Sequence, residues 1–417
     1  MTFDTDIAPA DNSASPSSNA ASPASNAASQ PVNETVASPT QVDPNLTTGA
    51  RALFNALHAH RGEFAMFGHQ DETFCHHAKQ ADSDIFAVTD SYPAVWGFDM
   101  GRIELGWNEN IDHIPFADIR REMRRAYDLG AVVTLSWHSV NPITEGGYGT
   151  NMAPETVAAV LPGGSHHGKY LGWLDAVADF LTSVKDADGQ PIPIVLRPYH
   201  EHTGDWFWWS PGSPAQPTDA SPEQFAALWR MTVEYLRDER GVHNVLYAYS
   251  PDRSRINMAD DSTLERGYLY GYPGDDYVDV LGLDDYWDID QPLDGPNAAD
   301  PAECHDKFVR ILTLEGKLAY ERGKIAAATE IGSPREFAAA FEGDPNTPWT
   351  GYLLSAATAN ENTRRVMWYL PWRNSVEAVD SGAYGTPALE SVYANDFRHF
   401  VRNEFMRLQD TLPNLYA

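Results

Sequence analysis

From about residue 44 onward, short apolar runs rich in β-branched and aromatic residues alternate with longer stretches whose apolar residues recur every three or four positions. Runs of the first kind read as buried strands, and stretches of the second as amphipathic helices. Eight strands are predicted: Phe64 to Gln70, Asp84 to Asp90, Ala131 to His138, Pro193 to Glu201, Asn244 to Asp252, Val278 to Trp287, Lys324 to Glu330 and Arg365 to Trp372. Between them, Ile119, Met123, Ala126 and Tyr127 share one helical face, as do Leu171, Leu174, Ala178 and Leu181, and again Phe225, Leu228, Trp229, Thr232 and Leu236. Repeated strand and helix units predict an α/β fold with a parallel sheet. Eight of them with no Gly-rich GxGxxG turn predict a closed (β/α)8 TIM barrel rather than an open doubly wound sheet.

Ahead of this pattern, residues 10 to 43 are nearly all Ala, Ser, Pro, Asn, Thr and Gln. Such a stretch has too little apolar surface to offset the entropy of ordering it. The predicted organisation is a flexible low-complexity tail or linker over residues 1–43 and a single barrel domain over 44–417.

A barrel of this kind carries its chemistry at the C-terminal ends of its strands. Those ends offer His69 and Gln70, Asp90, Trp137 and His138, Arg197, His200 and Glu201, Asp252, Asp284 with Asp285 and Tyr286, Glu330, and Trp372 with Arg373. Carboxylates, histidines and tryptophans dominate, where ends without a site more often carry Asp, Gly, Asn and Pro turn residues.

The 417 residues include 59 acidic and 29 basic side chains, a formal charge of −30. That charge repels phosphate backbones and anionic lipid surfaces, so nucleic acid is excluded as a partner, whereas a neutral polysaccharide meets no such penalty. The 12 tryptophans and 19 tyrosines supply amphipathic rings for packing or for sugar stacking. Cys75 and Cys304 are too few for a disulfide scaffold and lack zinc-ligand spacing, which leaves one bridge or two free thiols. No apolar run approaches the ~20 residues of a membrane span. No cofactor and no metal are expected, and the chain is expected to be a monomer.

Breaking a glycosidic bond takes two carboxyl groups, one to protonate the leaving oxygen and one to attack the anomeric carbon or activate water. Glu201 ends the fourth predicted strand in IVLRPYHEHTGDWFWW, and Glu330 ends the seventh in KIAAATEIGS. Opposite sides of a barrel mouth would set them face to face. Trp206, Phe207, Trp208 and Trp209 follow Glu201 directly, and four consecutive rings cannot all enter one core, so at least one should line the cleft.

The segment RPYHEHTGDWFWW resembles the acid/base motif of glycoside hydrolase family 26, whose best-known members are β-mannanases and whose motif usually reads Arg-Pro-x-His-Glu-x-Asn-Gly-x-Trp-Phe-Trp-Trp. Five more segments resemble the family's cleft: FGHQDE at Phe67 to Glu72, TLSWHSVNP at Thr134 to Pro142, GLDDYW at Gly282 to Trp287, ATEIG at Ala328 to Gly332 and YLPWRN at Tyr369 to Asn374. The resemblance implies Glu201 as acid/base and Glu330 as nucleophile of a retaining hydrolase, with the carboxyl groups about 5 to 5.5 Å apart. It further implies His200 hydrogen-bonding near the nucleophile, Tyr286 orienting Glu330, Arg197 holding the carboxylates charged, and Trp206 and Trp372 as apolar platforms around the reacting sugar. His138 and Gln70 would lie on that sugar's far side. Thr203 stands where Asn is common, and TFCHH after HQDE departs from the usual Tyr-Gly, which leaves leaving-group specificity open.

The resemblance implies a β-1,4-linked mannan, galactomannan or glucomannan as substrate, with the mixed-linkage β-glucan or β-1,3-xylan cleaved by other members as alternatives. A non-catalytic β-glycan-binding protein is the reading from another class. A metal-dependent barrel hydrolase, drawing on His69, His138, His200, Asp90 and Glu201, is a further one. The stretch from Gly146 to Gly168 is a candidate barrier deciding between cutting inside chains and from their ends. The start MTFDTDIAP carries no basic and apolar signal regions. Linkers of the tail's composition tether secreted carbohydrate-active enzymes, so a secreted or cell-surface location is expected, with the cytoplasm as the alternative.

Overall fold

The computed structural model describes residues 38–147, 153–289, 300–332, 347–374 and 386–417. Eight parallel strands close on themselves: β1 (Ala65–Gln70), β2 (Val95–Asp99), β3 (Val132–Trp137), β4 (Ile194–Pro198), β5 (Val245–Tyr249), β6 (Val280–Asp285), β7 (Ile325–Ile331) and β8 (Val366–Pro371). Each pairs with its sequence neighbour, and β8 pairs back onto β1 through Met66 with Trp368 and Phe67 with Tyr369. This is the expected (β/α)8 barrel, without a free edge among its eight strands.

Alternation along the strands separates two apolar populations. Residues such as Met66, Val95, Val132, Val195, Leu246, Val280, Ile325, Ala327 and Trp368 form the barrel interior. Their neighbours Phe67, Trp96, Val133, Leu196, Leu281, Ala326 and Tyr369 pack outward with the surrounding helices. The helix Thr48–Ala59, capped where Thr47 accepts from the Ala50 amide, inserts Leu53, Phe54 and Leu57 into the interior set. It plugs the end where the strands begin, so only the opposite mouth remains for a site.

Seven of the eight expected strands are present, and one is corrected. Asp84–Thr89 is a helix, and the second strand is Val95–Asp99. The β-branched Ile85, Val88 and Thr89 suggest a strand, but Ser83 accepts from the Phe86 amide as an N-cap with Asp84 in the first turn, which starts a helix. Asp90 therefore ends no strand; it is the exposed left-handed C-cap of that helix. The helical spacings sit on Phe116–Asp128, His167–Ser183 and Pro222–Glu234, the last opened by a full capping box of Ser221 and Gln224.

Residues 1–37, most of the expected tail, lie outside the described residues. The rest of that stretch is fastened to the barrel: Val42 donates its amide to Asp279 (2.8 Å), and the Lys324 ammonium donates to the Thr40 carbonyl (2.9 Å). Of the stretch from Gly146 to Gly168, residues 148–152 lie outside the described set, and the remainder carries the short helix Thr156–Val160. Cys75 and Cys304 are both buried and unpaired. No helix among the described residues is long and apolar enough to cross a membrane.

Candidate active site

Glu330 faces the mouth because β7 is bulged. Ala328 pairs with Leu283 on β6, and Glu330 with the next residue, Asp284, so Thr329 is extra. The β8 side agrees, with Tyr369 opposite Ala328 and Pro371 opposite Ile331. Ala326 and Ala328 point outward, and strict alternation would send Glu330 outward too; one inserted residue turns it to the inside.

Glu201 is presented by a strained turn. Tyr199 and Glu201 both have left-handed backbones, φ +53° and +54°, which costs on the order of 1–3 kcal/mol each for residues other than glycine. Surrounding bonds hold the turn. The Glu201 amide donates to the Ser250 carbonyl at the end of β5 (2.8 Å). Trp209 Nε1 donates to the His200 carbonyl (2.8 Å), and the Tyr199 hydroxyl meets those of Tyr170 and Thr232. Of the four-ring run, Phe207, Trp208 and Trp209 are buried. Trp206 stays partly exposed, donates Nε1 to Glu201 Oε2 (2.6 Å), and lies so close to Gly204 that any β-carbon there would meet its ring.

Glu330 and Asp284 are drawn together by one guanidinium. Arg197, buried on β4, donates Nη2 to Glu330 Oε2 and Nη1 to Asp284 Oδ2 (2.6 Å). The Tyr286 hydroxyl donates to the other oxygen of Glu330 (2.8 Å). Glu330 thus has a donor on each oxygen, the arrangement of a positioned anion.

Charges around these groups set their protonation. Burial pushes the Glu201 carboxyl well above the usual range, and the charges of Glu330, Asp252 and Asp284 push the same way, against the Trp206 indole N–H that favours the anion. Burial also raises Asp284, opposed by Arg197. Asp252 is raised to about 6 by burial, against the hydrogen bonds of Ser254. Burial and the neighbouring Arg197 hold His200 well below the ordinary histidine value, so its ring is neutral.

The remaining predicted residues divide. His138 lies at the end of β3, donates Nδ1–H to Asp99 Oδ2 (2.8 Å) and stands edge-on to Trp372, ring centroids 6.0 Å apart. His200 departs from expectation: its Nε2 meets His138 Nε2 (3.0 Å), while Arg197 and Tyr286 occupy the Glu330 oxygens. Which of the two Nε2 atoms donates depends on the tautomers of the rings. Gln70 is buried at the end of β1, its Oε1 against Gly97, where a β-carbon would come within 2.0 Å, and its Nε2 has no hydrogen-bond partner among the described residues. Thr203 is buried and donates to the Asp252 carbonyl (2.8 Å). His69 is bound to Glu72 rather than aimed into the mouth. Among the described residues, no three His, Cys, Asp or Glu side chains are placed to hold one metal ion.

Asp99 is the residue that sequence reasoning missed. It accepts from Ser136 Oγ, the Gly101 amide and His138, and although burial opposes its charge, His138 and these donors hold it below the usual carboxylate range. The run VWGFD closes on this aspartate and carried the signal, but the neighbouring DIFAVTD had taken the place of the second strand. Glu104 is likewise buried, binding the Trp137 indole (3.0 Å) and the Val140 amide (2.8 Å), which ties the loop after β2 to the end of β3.

The family model described as glycosyl hydrolase family 26 matches residues 42–352. A mannan endo-1,4-β-mannosidase of Bifidobacterium adolescentis is 36% identical over 345 residues, covering 80% of this chain and 32% of that protein. The chain therefore spans about a third of that relative's length. A mannan endo-1,4-β-mannosidase of Bacillus subtilis is 28% identical over 281 residues, 64% of this chain and 71% of that protein. Among solved structures, a family 26 β-mannanase from Bacteroides ovatus superposes with a TM-score of 0.75 at 35% identity, covering 89% of this chain and 98% of that one.

Proposed function

The chain belongs to glycosyl hydrolase family 26, and from that premise we propose that it is a retaining glycosidase cutting β-1,4-mannosidic bonds inside mannan, galactomannan or glucomannan. The observation that carries this reading is the bridge of Arg197 and Tyr286 to Glu330 at the mouth that Glu201 also enters, where burial and then the charge of Glu330 raise the Glu201 carboxyl.

In the first half-reaction Glu201 gives its proton to the glycosidic oxygen as Glu330 attacks the anomeric carbon, forming a glycosyl ester and releasing the aglycone. Esterification removes the negative charge of Glu330, one of the causes that raise Glu201. With that charge gone, Glu201 stays deprotonated after giving up its proton, and it becomes the base that takes a proton from water as the water attacks the anomeric carbon and the ester bond to Glu330 breaks. Trp206 steadies the resulting carboxylate, and Trp372 offers the reacting sugar an apolar face. His138, locked by Asp99 and His200, stands edge-on to Trp372 at the wall of that sugar's site. Because a polysaccharide is too large to pass into a cell intact, we place this activity outside the cell or at its surface.

Release of short manno-oligosaccharides from linear mannan and galactomannan, but not from lichenan or β-1,3-xylan, is the expected product profile, with Glu330→Ala as the blank. Products from lichenan or xylan alone would reassign the substrate, and release from none of the four would leave the binding-protein reading.

The proton role of Glu201 has its own signature. The basic limb of kcat/KM reports loss of the Glu201 proton. Asp252→Asn removes a negative charge that raises Glu201, so the limb should move to lower pH. Trp206→Phe removes a donor to the carboxylate, so it should move to higher pH. Limbs that shift in the same direction would mean that another group is being titrated.

A further inference from the structure

Residues 100–115, between β2 and the helix Phe116–Asp128, lie at the same barrel end as Glu201 and Glu330 and form a closely tied loop. Arg102 and Gly106, both left-handed, flank a single 3-10 turn Ile103–Leu105. Glu109 bridges Pro115, and Asn110 donates to the Asp99 carbonyl while accepting from the amides of Asp112 and Ile114. On this rigid support Trp107 is held 49% exposed, with the Arg102 guanidinium 4.8 Å from its ring centroid. One exposed apolar residue is ordinary; an indole fixed in orientation by a stacked cation, on a loop with this many ties, is a prepared surface.

The loop also joins the wall of the site. Asp112, five positions beyond Trp107, pairs with Arg373 (2.6 Å), which follows Trp372 at the end of β8. Five residues reach at most about 18 Å, so Trp107 lies within that span of Asp112 and its partner Arg373 beside Trp372. Glu201, Trp206, Thr203 and Asp252 belong to the ends of β4 and β5, where the leaving group is protonated. Trp107, Asp112 and Arg373 hang from β2 and β8, across the mouth.

We propose that Trp107 is a stacking platform for a distal sugar on the glycone side, selecting long substrates over short ones. The proposal rests on the glycosidase reading above. Its chemistry is that of an indole face against the C–H face of a pyranose, which tolerates any sugar presenting that face and adds binding only when the chain is long enough to arrive.

The test compares wild type, Trp107→Ala and Trp107→Phe on linear β-1,4-manno-oligosaccharides from the trimer to the hexamer. Trp107→Ala should lower kcat/KM about tenfold on the longest substrate and leave the shortest unchanged, while Trp107→Phe restores most of the loss. An equal fall at every length would assign Trp107 to folding or to the central site, and no fall at any length would leave the ring without this role; either overturns the platform. If wild type cuts no member of the series, the glycosidase reading fails first and takes the platform with it.

Discussion

Glu330→Ala should lower kcat by about four orders of magnitude or more, as removal of a nucleophile does in other covalent mechanisms, equivalent to roughly 5 kcal/mol or more of barrel-mouth transition-state stabilisation. The fold should survive, because Arg197 keeps its bond to Asp284. Azide adds a diagnosis. In Glu330→Ala it enters the space of the missing carboxylate and attacks the anomeric carbon from that side, while Glu201 protonates the leaving oxygen, giving an α-mannosyl azide. In Glu201→Ala, an aryl mannoside whose leaving group needs no proton still esterifies Glu330, and azide then displaces the ester to give the β-azide. Chemical analysis of the two products decides the roles: exchanged anomers would exchange the residues, and no rescue in either variant would argue against a glycosyl ester.

Arg197→Met should cost both stability and activity. Arg197 is buried between Glu330 and Asp284, and its loss leaves two carboxylates without their cation. Breaking a buried pair in this way costs roughly 3–5 kcal/mol. The deficit should depend on pH with a definite sign. Asp284 is already raised by burial despite Arg197, and without the cation its folded value rises further above the unfolded one. A group raised in the folded state contributes stability below its unfolded value and loses it as pH rises through the folded value. Denaturant unfolding of Arg197→Met against wild type should therefore show a gap at pH 8 that narrows at pH 5. A gap constant with pH would mean that the cost is lost packing of the arginine stem.

Much of this site was readable from residue types. The apolar run of IVLRPYHE closing on Glu201, and that of KIAAATE closing on Glu330, put both acids at strand ends, and the barrel rule then puts them at one mouth. The exposed ring among Trp206 to Trp209 was anticipated by counting, though not which ring it was. The error at Asp84 to Asp90 shows the limit: seven residues with three β-branched side chains satisfy a strand pattern and a short helix equally, and the cap at Ser83 outweighed the propensity. That single misplacement hid Asp99, and with it the reason why His138 turns toward His200.

The chain order of apolar runs and amphipathic stretches was enough for the architecture and for setting Glu201 and Glu330 at strand ends of one barrel, because period-2 and period-3.6 burial are local properties of consecutive residues. Orientation was not local. Strict alternation would bury Glu330 against the helices, and the extra residue Thr329 that turns it inward exists only as a mismatch between β7 and its two partner strands. The left-handed backbone of Glu201 is likewise supported from elsewhere, by Ser250, Tyr170 and Thr232. Register and strain belong to pairs of distant segments, so they became visible once those segments were assembled.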